Sequence, residues 1–107
     1  MNYINLTPHD IVLNDGTVYV KTGTVAGVAE THGAVVDGIR HDQLAGVENL
    51  PPPKGGATYI VSMPTLMGMR ACGSTRSDVV TPITRGPGVR KHPEKGFIIS
   101  VPGLRTF

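Results

Sequence analysis

The 107-residue sequence predicts a β-rich α+β domain: a small twisted antiparallel sheet or partly open barrel with one short helix. Two observations lead there. Runs rich in Val and Ile recur along the chain, and 14 Gly and 9 Pro separate them at intervals too short for long helices. One stretch alone, Met63–Cys72, carries a helix start: Ser62 is placed to cap it, and Pro64 falls in the first turn, where a missing N–H costs little. At this length a single domain spanning residues 1–107 is expected, burying about two-thirds of the surface its unfolded chain exposes.

The elements follow from the punctuation. Asn2–Leu6 reads as a strand broken by Thr7-Pro8-His9, because proline fixes its own φ and keeps the residue before it out of the helical region. Asp10–Leu13 and Thr17–Val20 are strands joined by Asn14-Asp15-Gly16, whose Asp-Gly pair tolerates the positive φ of a hairpin turn. Thr24–Glu30 is a further strand, expected to pair with one of the first. Ala34–His41 is another, with Gly38 suggesting a bulge or a close backbone approach. Residues 42–50 fit either a partial strand or a turn. Leu50-Pro51-Pro52-Pro53 is stiff and Lys54-Gly55-Gly56 flexible, as in a connection across a sheet end. Tyr59–Ser62 is a buried strand leading directly into the helix, and Asp78–Pro82 is a short strand ended by proline. Residues 83–96 form a long basic loop, and Gly96–Pro102 a closing strand.

The formal net charge of +2 conceals an asymmetry. Residues 1–50 set Lys21 and Arg40 against six acids, a net of −4, whereas residues 51–107 set eight bases against Asp78 and Glu94, a net of +6. Such a chain pairs its halves internally, pairs them between copies, or offers the basic half to an anion. A homo-oligomer is expected, since edge strands of a small sheet invite pairing. Cys72 is the single cysteine, so no intrachain disulfide forms. The N-terminal stretch lacks a signal-peptide pattern and no run is long and apolar enough for a membrane span, so a soluble protein in a reducing compartment is expected, without membrane contact.

Catalysis finds little support. His9, His32, His41 and His92 lack the i, i+4 spacing of helical metal ligands, and a lone cysteine offers no paired motif, so no metal and no cofactor is expected. Cys72 lies at the negative end of the helix dipole, which opposes a thiolate. No Ser elbow, P-loop or dinucleotide fingerprint is present. No catalytic residue is assigned.

Four stretches, Asn5-Leu6-Thr7-Pro8-His9, Thr22-Gly23-Thr24-Val25-Ala26, Leu50-Pro51-Pro52-Pro53 leading to Tyr59-Ile60-Val61-Ser62, and Arg76–Pro82, together resemble a family of small proteins from phages and prophages. The resemblance covers most of the chain in order. It departs from the usual pattern at Met63-Pro64 and in residues 83–96. It implies phage origin, hence the host cytoplasm. Small phage proteins with basic, glycine-rich pockets include anti-defence sponges, and a similar role is the leading expectation: sequestration, without cleavage, of a nucleotide-derived immune signal of cyclic oligonucleotide or cyclic ADP-ribose type. A nucleic acid polymer is not the expected partner.

The residues suited to that ligand are chosen by chemistry. Backbone N–H groups at Ser62 to Thr65, at the helix start, suit a phosphate. Arg70, Arg76 and Arg85 offer planar donors for bidentate phosphate contact, and Tyr3, Tyr19 or Tyr59 a ring for a base. Thr7 and His9 flank the proline break as site contributors or as turn residues. Tyr59 fits the core as well as a stacking platform. Arg76 and Asp78, two apart on a strand, share a side and fit a local ion pair as well as a ligand contact. Two other classes remain: a structural or inhibitory protein that grips a host protein through a sheet edge or the 83–96 loop, and a nucleotide-processing enzyme using His9 or His41 as general base.

Overall fold

The computed structural model describes residues 2–107. Its strands in chain order are β1 (Asn2–Asn5), β2 (Ile11–Val12), β3 (Val18–Tyr19), β4 (Gly27–Thr31), β5 (Val35–Val36), β6 (Ile39–Arg40), β7 (Gln43–Glu48) and β8 (Ala57–Ile60). The helix α1 (Met63–Ala71) follows, then β9 (Val79–Pro82), β10 (Arg90–Lys91), β11 (Ile98–Ser100) and β12 (Leu104–Arg105). The fold is α+β and β-rich, with one short helix and open, unclosed sheets.

The central sheet has the order β1-β8-β9-β12. Its core pairs run parallel, with Ile4 opposite Tyr59 and Tyr59 opposite Val79, and only β12 lies antiparallel, on β9. The antiparallel pairing expected from the sequence holds for the hairpins and this edge, not for the core. The reason is burial on both faces. All four residues of β8 are buried, as in parallel sheets covered on each side. Tyr59 and Val61 face Leu66 and Met69 of α1 together with Leu6 and Val79, while Ile60 faces Ile11 and Val101 on the opposite side. The sheet thus lies between α1 and a layer built from the β2–β3 hairpin and the C-terminal strands.

The helix begins where the sequence predicts. Ser62 Oγ accepts from Thr65 N at 3.4 Å, and Pro64 occupies the first turn. The buried Thr65 hydroxyl donates to Ala26 O at 3.3 Å, tying the helix start to the entry of β4. Gly68 is the point of closest approach: a Cβ built there would lie 2.4 Å from Val28 Cγ2, so the missing side chain lets α1 settle on β4.

β4 pairs with β7, from Gly27 opposite Glu48 to Thr31 opposite Gln43, rather than with the first strands, and residues 42–50 contain a strand rather than a turn. Their far end carries the small hairpin β5–β6, with Val36 opposite Ile39. Where Gly38 suggests a bulge, Asp37 and Gly38 instead form a two-residue turn with φ of +52° and +77°. The result is a ribbon rooted on α1 whose tip leaves the core. Accordingly, the radius of gyration, 15.8 Å, exceeds the roughly 13 Å expected for a compact chain of this length. The basic loop also contains structure, since β10 pairs with β11. No helix among the described residues is long and apolar enough to cross a membrane.

Candidate functional site

Parallel strands place their carboxyl ends together, and in open sheets with parallel cores ligands bind outside those ends. Here the ends of β1, β8 and β9 continue as Thr7-Pro8-His9, Ser62-Met63-Pro64 and Pro82–Thr84, and residues of all three segments line one groove of about 760 Å³. β11 supplies the opposite wall through Ile98 and Ser100, preceded by Phe97. That volume falls within the range of small-molecule sites, and the lining is mostly apolar with a few polar groups, as such sites are.

The polar groups divide by how far the fold already uses them. Asn5 is the organiser of the first wall: buried, it donates through Nδ2 to His9 O at 2.9 Å and to Tyr19 O at 2.8 Å, and accepts from Thr7 N at 2.9 Å. Thr7 Oγ1 lies 2.7 Å from Asn5 Oδ1 and 2.9 Å from His9 O, so its proton is committed within the turn. This network folds the chain after β1 and leaves the His9 ring exposed at the groove. Ser62 Oγ lies 2.8 Å from Thr65 Oγ1 and caps the helix. With Pro64 lacking an N–H and the Thr65 and Leu66 amides bonded to Ser62, Met63 is left as the first-turn donor at the groove.

Thr81 stands apart. It is 0% exposed, lines the groove, and its Oγ1 has no hydrogen-bond partner among the described residues. It shares the helix-facing side of β9 with Val79, two residues before it. A buried hydroxyl without a partner costs about 1–3 kcal/mol, so such a group beside a helix N-terminus calls for a functional explanation.

The remaining candidates are not at the groove. Tyr59 is 2% exposed, packed in the core with its hydroxyl 3.4 Å from Pro52 O, so it has no free face for stacking a base. Thr65 is buried beneath the helix start. Arg70, near the other end of α1, donates to Phe107 O at 2.6 Å, Ser74 O at 3.1 Å and Arg76 O at 2.8 Å, fastening the C-terminal residues and the 74–76 loop to the helix. Arg76 forms a fork with Asp78, at 2.9 Å from Nε and 2.7 Å from Nη2, and its Nη1 donates to Pro51 O at 2.9 Å. These hydrogen bonds hold the Asp78 carboxyl below its ordinary range and raise the Arg76 guanidinium above its own. Both arginines are thus occupied in joining segments, and Arg85 lies exposed beyond the groove, next to its lining residue Thr84. Of the tyrosines, Tyr3 and Tyr19 pack against each other as a tilted pair, 5.1 Å between centroids with 49° between the ring planes.

Sequence reasoning passed over Thr81, Asn5 and Phe97. For Thr81 the signal is present, a hydroxyl inside the apolar run Val79-Val80-Thr81. A cluster of Glu30, His32 and Asp42 also escapes the sequence, with potential ligand atoms within 4.8 Å of one another, but all three are exposed and Asp42 already accepts two bonds from Arg40, at 2.7 and 2.8 Å. No hydrogen-bonded Ser–His or His–carboxylate pair lines the groove among the described residues.

Comparison with known proteins adds no relative. No family model, no curated protein and no solved structure matches the chain.

Proposed function

We propose that the protein binds a small phosphate-bearing nucleotide in the groove and releases it unchanged, the behaviour expected of a phage sponge that sequesters an immune signal in the host cytoplasm. The observation that carries the reading is the convergence of three parallel strand ends on a groove holding the N-terminus of α1 and the unpartnered Thr81 hydroxyl. The helix start and the Thr81 hydroxyl suit a phosphate, and Phe97 and Ile98 offer apolar faces to a base or ribose. The arginines of the sequence argument are replaced by backbone and hydroxyl donors.

The test is a thermal-shift screen of the purified protein with cyclic di-AMP, cyclic tri-AMP and cyclic ADP-ribose, followed by heat release and chromatography of the ligand. Ligand at a hundred times Kd adds about 2.7 kcal/mol to stability, a shift of roughly ten degrees or more for a domain this small. The reading requires a shift with at least one nucleotide and its recovery intact. Recovery of a cleaved product would make the protein an enzyme, and no shift with any would leave the host-protein interaction as the function.

A further inference from the structure

The ribbon of β4–β7 ends in three aliphatic side chains in water: Val35, Val36 and Ile39 are 65%, 64% and 58% exposed on a two-stranded tip. Nothing among the described residues covers them. A hairpin of this length lacks independent stability in water, and an apolar tip held clear of the core marks a contact surface. The ribbon is also acidic. Between residues 27 and 48 it carries four carboxylates against Arg40, a net of −3, and Glu30, Asp37 and Glu48 make no ion pair among the described residues.

A surface of the opposite kind exists on the same molecule. At the outer wall of the groove Phe97 is 54% exposed and Ile99 50%. Around them Arg85, Arg90, Lys91 and Lys95 are exposed, with no carboxylate partner among the described residues. With Glu94 they give the segment 85–99 a net charge of +3. This wall is held firmly: Asn14 Nδ2 donates to Gly88 O at 2.7 Å, Ser100 Oγ donates to Asn14 Oδ1 at 2.7 Å, and the His92 ring stacks on Phe97 at 4.8 Å.

We infer that the chain self-associates head to tail, the acidic ribbon tip of one copy (Val35, Val36, Ile39) docking on the basic-rimmed apolar wall (Phe97, Ile99) of the next. Charge sign decides the occupant. Two tips placed together would set four-carboxylate ribbons against each other, and two walls would do the same with bases, whereas tip on wall pairs apolar with apolar and acid with base. A contact between two different patches is heterologous, so it repeats into a ring or an open filament rather than stopping at a two-fold dimer. The contact leaves the floor at Thr81 untouched but shares Phe97 with the groove, so sedimentation without nucleotide reads it independently of which ligand the groove takes.

The experiment is sedimentation velocity on the full chain and on two variants, Ile39→Asp at the tip and Phe97→Asp on the wall, with circular dichroism confirming that each remains folded. The wild-type chain is expected to sediment as an oligomer in 50 mM salt and to shift towards monomer in 500 mM as the charges are screened. Each variant alone is expected to be a monomer. Mixed in equal amounts they are expected to form a dimer and nothing larger, because the intact tip of Phe97→Asp meets the intact wall of Ile39→Asp. A wild-type monomer at 100 μM protein in low salt would overturn the inference. So would variants that stay monomeric when mixed, and so would a single variant that still self-associates, which is the result for tip-to-tip pairing in Phe97→Asp and for wall-to-wall pairing in Ile39→Asp. Should Phe97→Asp fail to fold, Lys91→Glu with Lys95→Glu serves as the wall variant with the same expected outcomes.

Discussion

Replacing Thr81 by Val separates what the hydroxyl costs the free fold from what it gives a ligand. The side chain is fully buried and β-branched, so Val fills nearly the same shape on the same strand. Its Oγ1 has no partner among the described residues. An unsatisfied buried hydroxyl costs about 1–3 kcal/mol, and the substitution removes that cost while adding a buried methyl. A gain of about 1–2 kcal/mol is expected. For a domain of this size each kcal/mol moves Tm by roughly 4–8 °C, so a calorimetric Tm about 4–15 °C above wild type is predicted. Affinity moves the opposite way. A hydrogen bond from this hydroxyl to a ligand contributes about 0.5–1.5 kcal/mol net, so Kd for a nucleotide that binds the wild type rises about 2- to 13-fold, measured by titration calorimetry. Thr81→Ser, which keeps the hydroxyl, holds its affinity while losing stability. An unchanged or lowered Tm in Thr81→Val would refute the reasoning, since it would mean that the hydroxyl is already satisfied. A raised Tm with unchanged Kd would remove Thr81 from the site.

Three further outcomes test the frame around the groove. Gly68→Ala gains about 1 kcal/mol of helix propensity but drives a Cβ to 2.4 Å from a β-branched Val28, an overpacking cost of about 1–3 kcal/mol, so chemical denaturation is expected to show net destabilisation, and Gly68→Ala with Val28→Ala recovery of much of it. Arg70→Met keeps the aliphatic stem and removes the bonds to Phe107 O, Ser74 O and Arg76 O; amide exchange is expected to accelerate in residues 74–76 and at the C-terminal end, with ligand affinity unchanged. Asp78 titrates below its ordinary value of 3.8 because Arg76 hydrogen-bonds its charged form. As pH falls the unfolded chain therefore takes up the proton first, and the pair's stabilisation, complete above about pH 5, is lost through pH 4 and below. Asp78→Asn is expected to lower stability at pH 7 and to flatten the acid limb of the pH–stability curve, leaving the part due to Asp15 and Asp42, whose carboxyls are also held low.

Local chemistry was legible in the sequence, and pairing partners were not. Ser62 and Pro64 mark the helix start because capping is decided within four residues. Asp15-Gly16 marks its hairpin for the same reason. Asp37-Gly38 carries an identical signal, but aliphatic neighbours on both sides make Ala34–His41 look like one strand with a bulge. Strand direction escapes altogether, since β1 and β8 pair across more than fifty residues and alternation says nothing about parallel or antiparallel. The unalternating run Ala57–Val61 was the available clue, because burial on both faces accompanies parallel sheets. The site divided the same way. Thr7, His9 and Ser62 lie at the groove because each ends a strand, and strand ends can be read locally. Arg70 and Arg76 do not, because their carbonyl partners at Phe107 and Pro51 lie 37 and 25 residues away and are visible only once the chain is folded. An arginine offers its planar donors equally to phosphate oxygens and to backbone carbonyls, so residue type alone could not decide between them.

The most direct test of the central claim is an amide chemical-shift map of the ¹⁵N-labelled protein titrated with whichever of cyclic di-AMP, cyclic tri-AMP and cyclic ADP-ribose raises its Tm. The account predicts the largest changes at Met63, in residues 7–11 and at Thr81 and Ile98, with Arg70, Arg76 and Tyr59 little affected. Changes centred on Arg70 and Arg76, or no change with any of the three nucleotides, would contradict it.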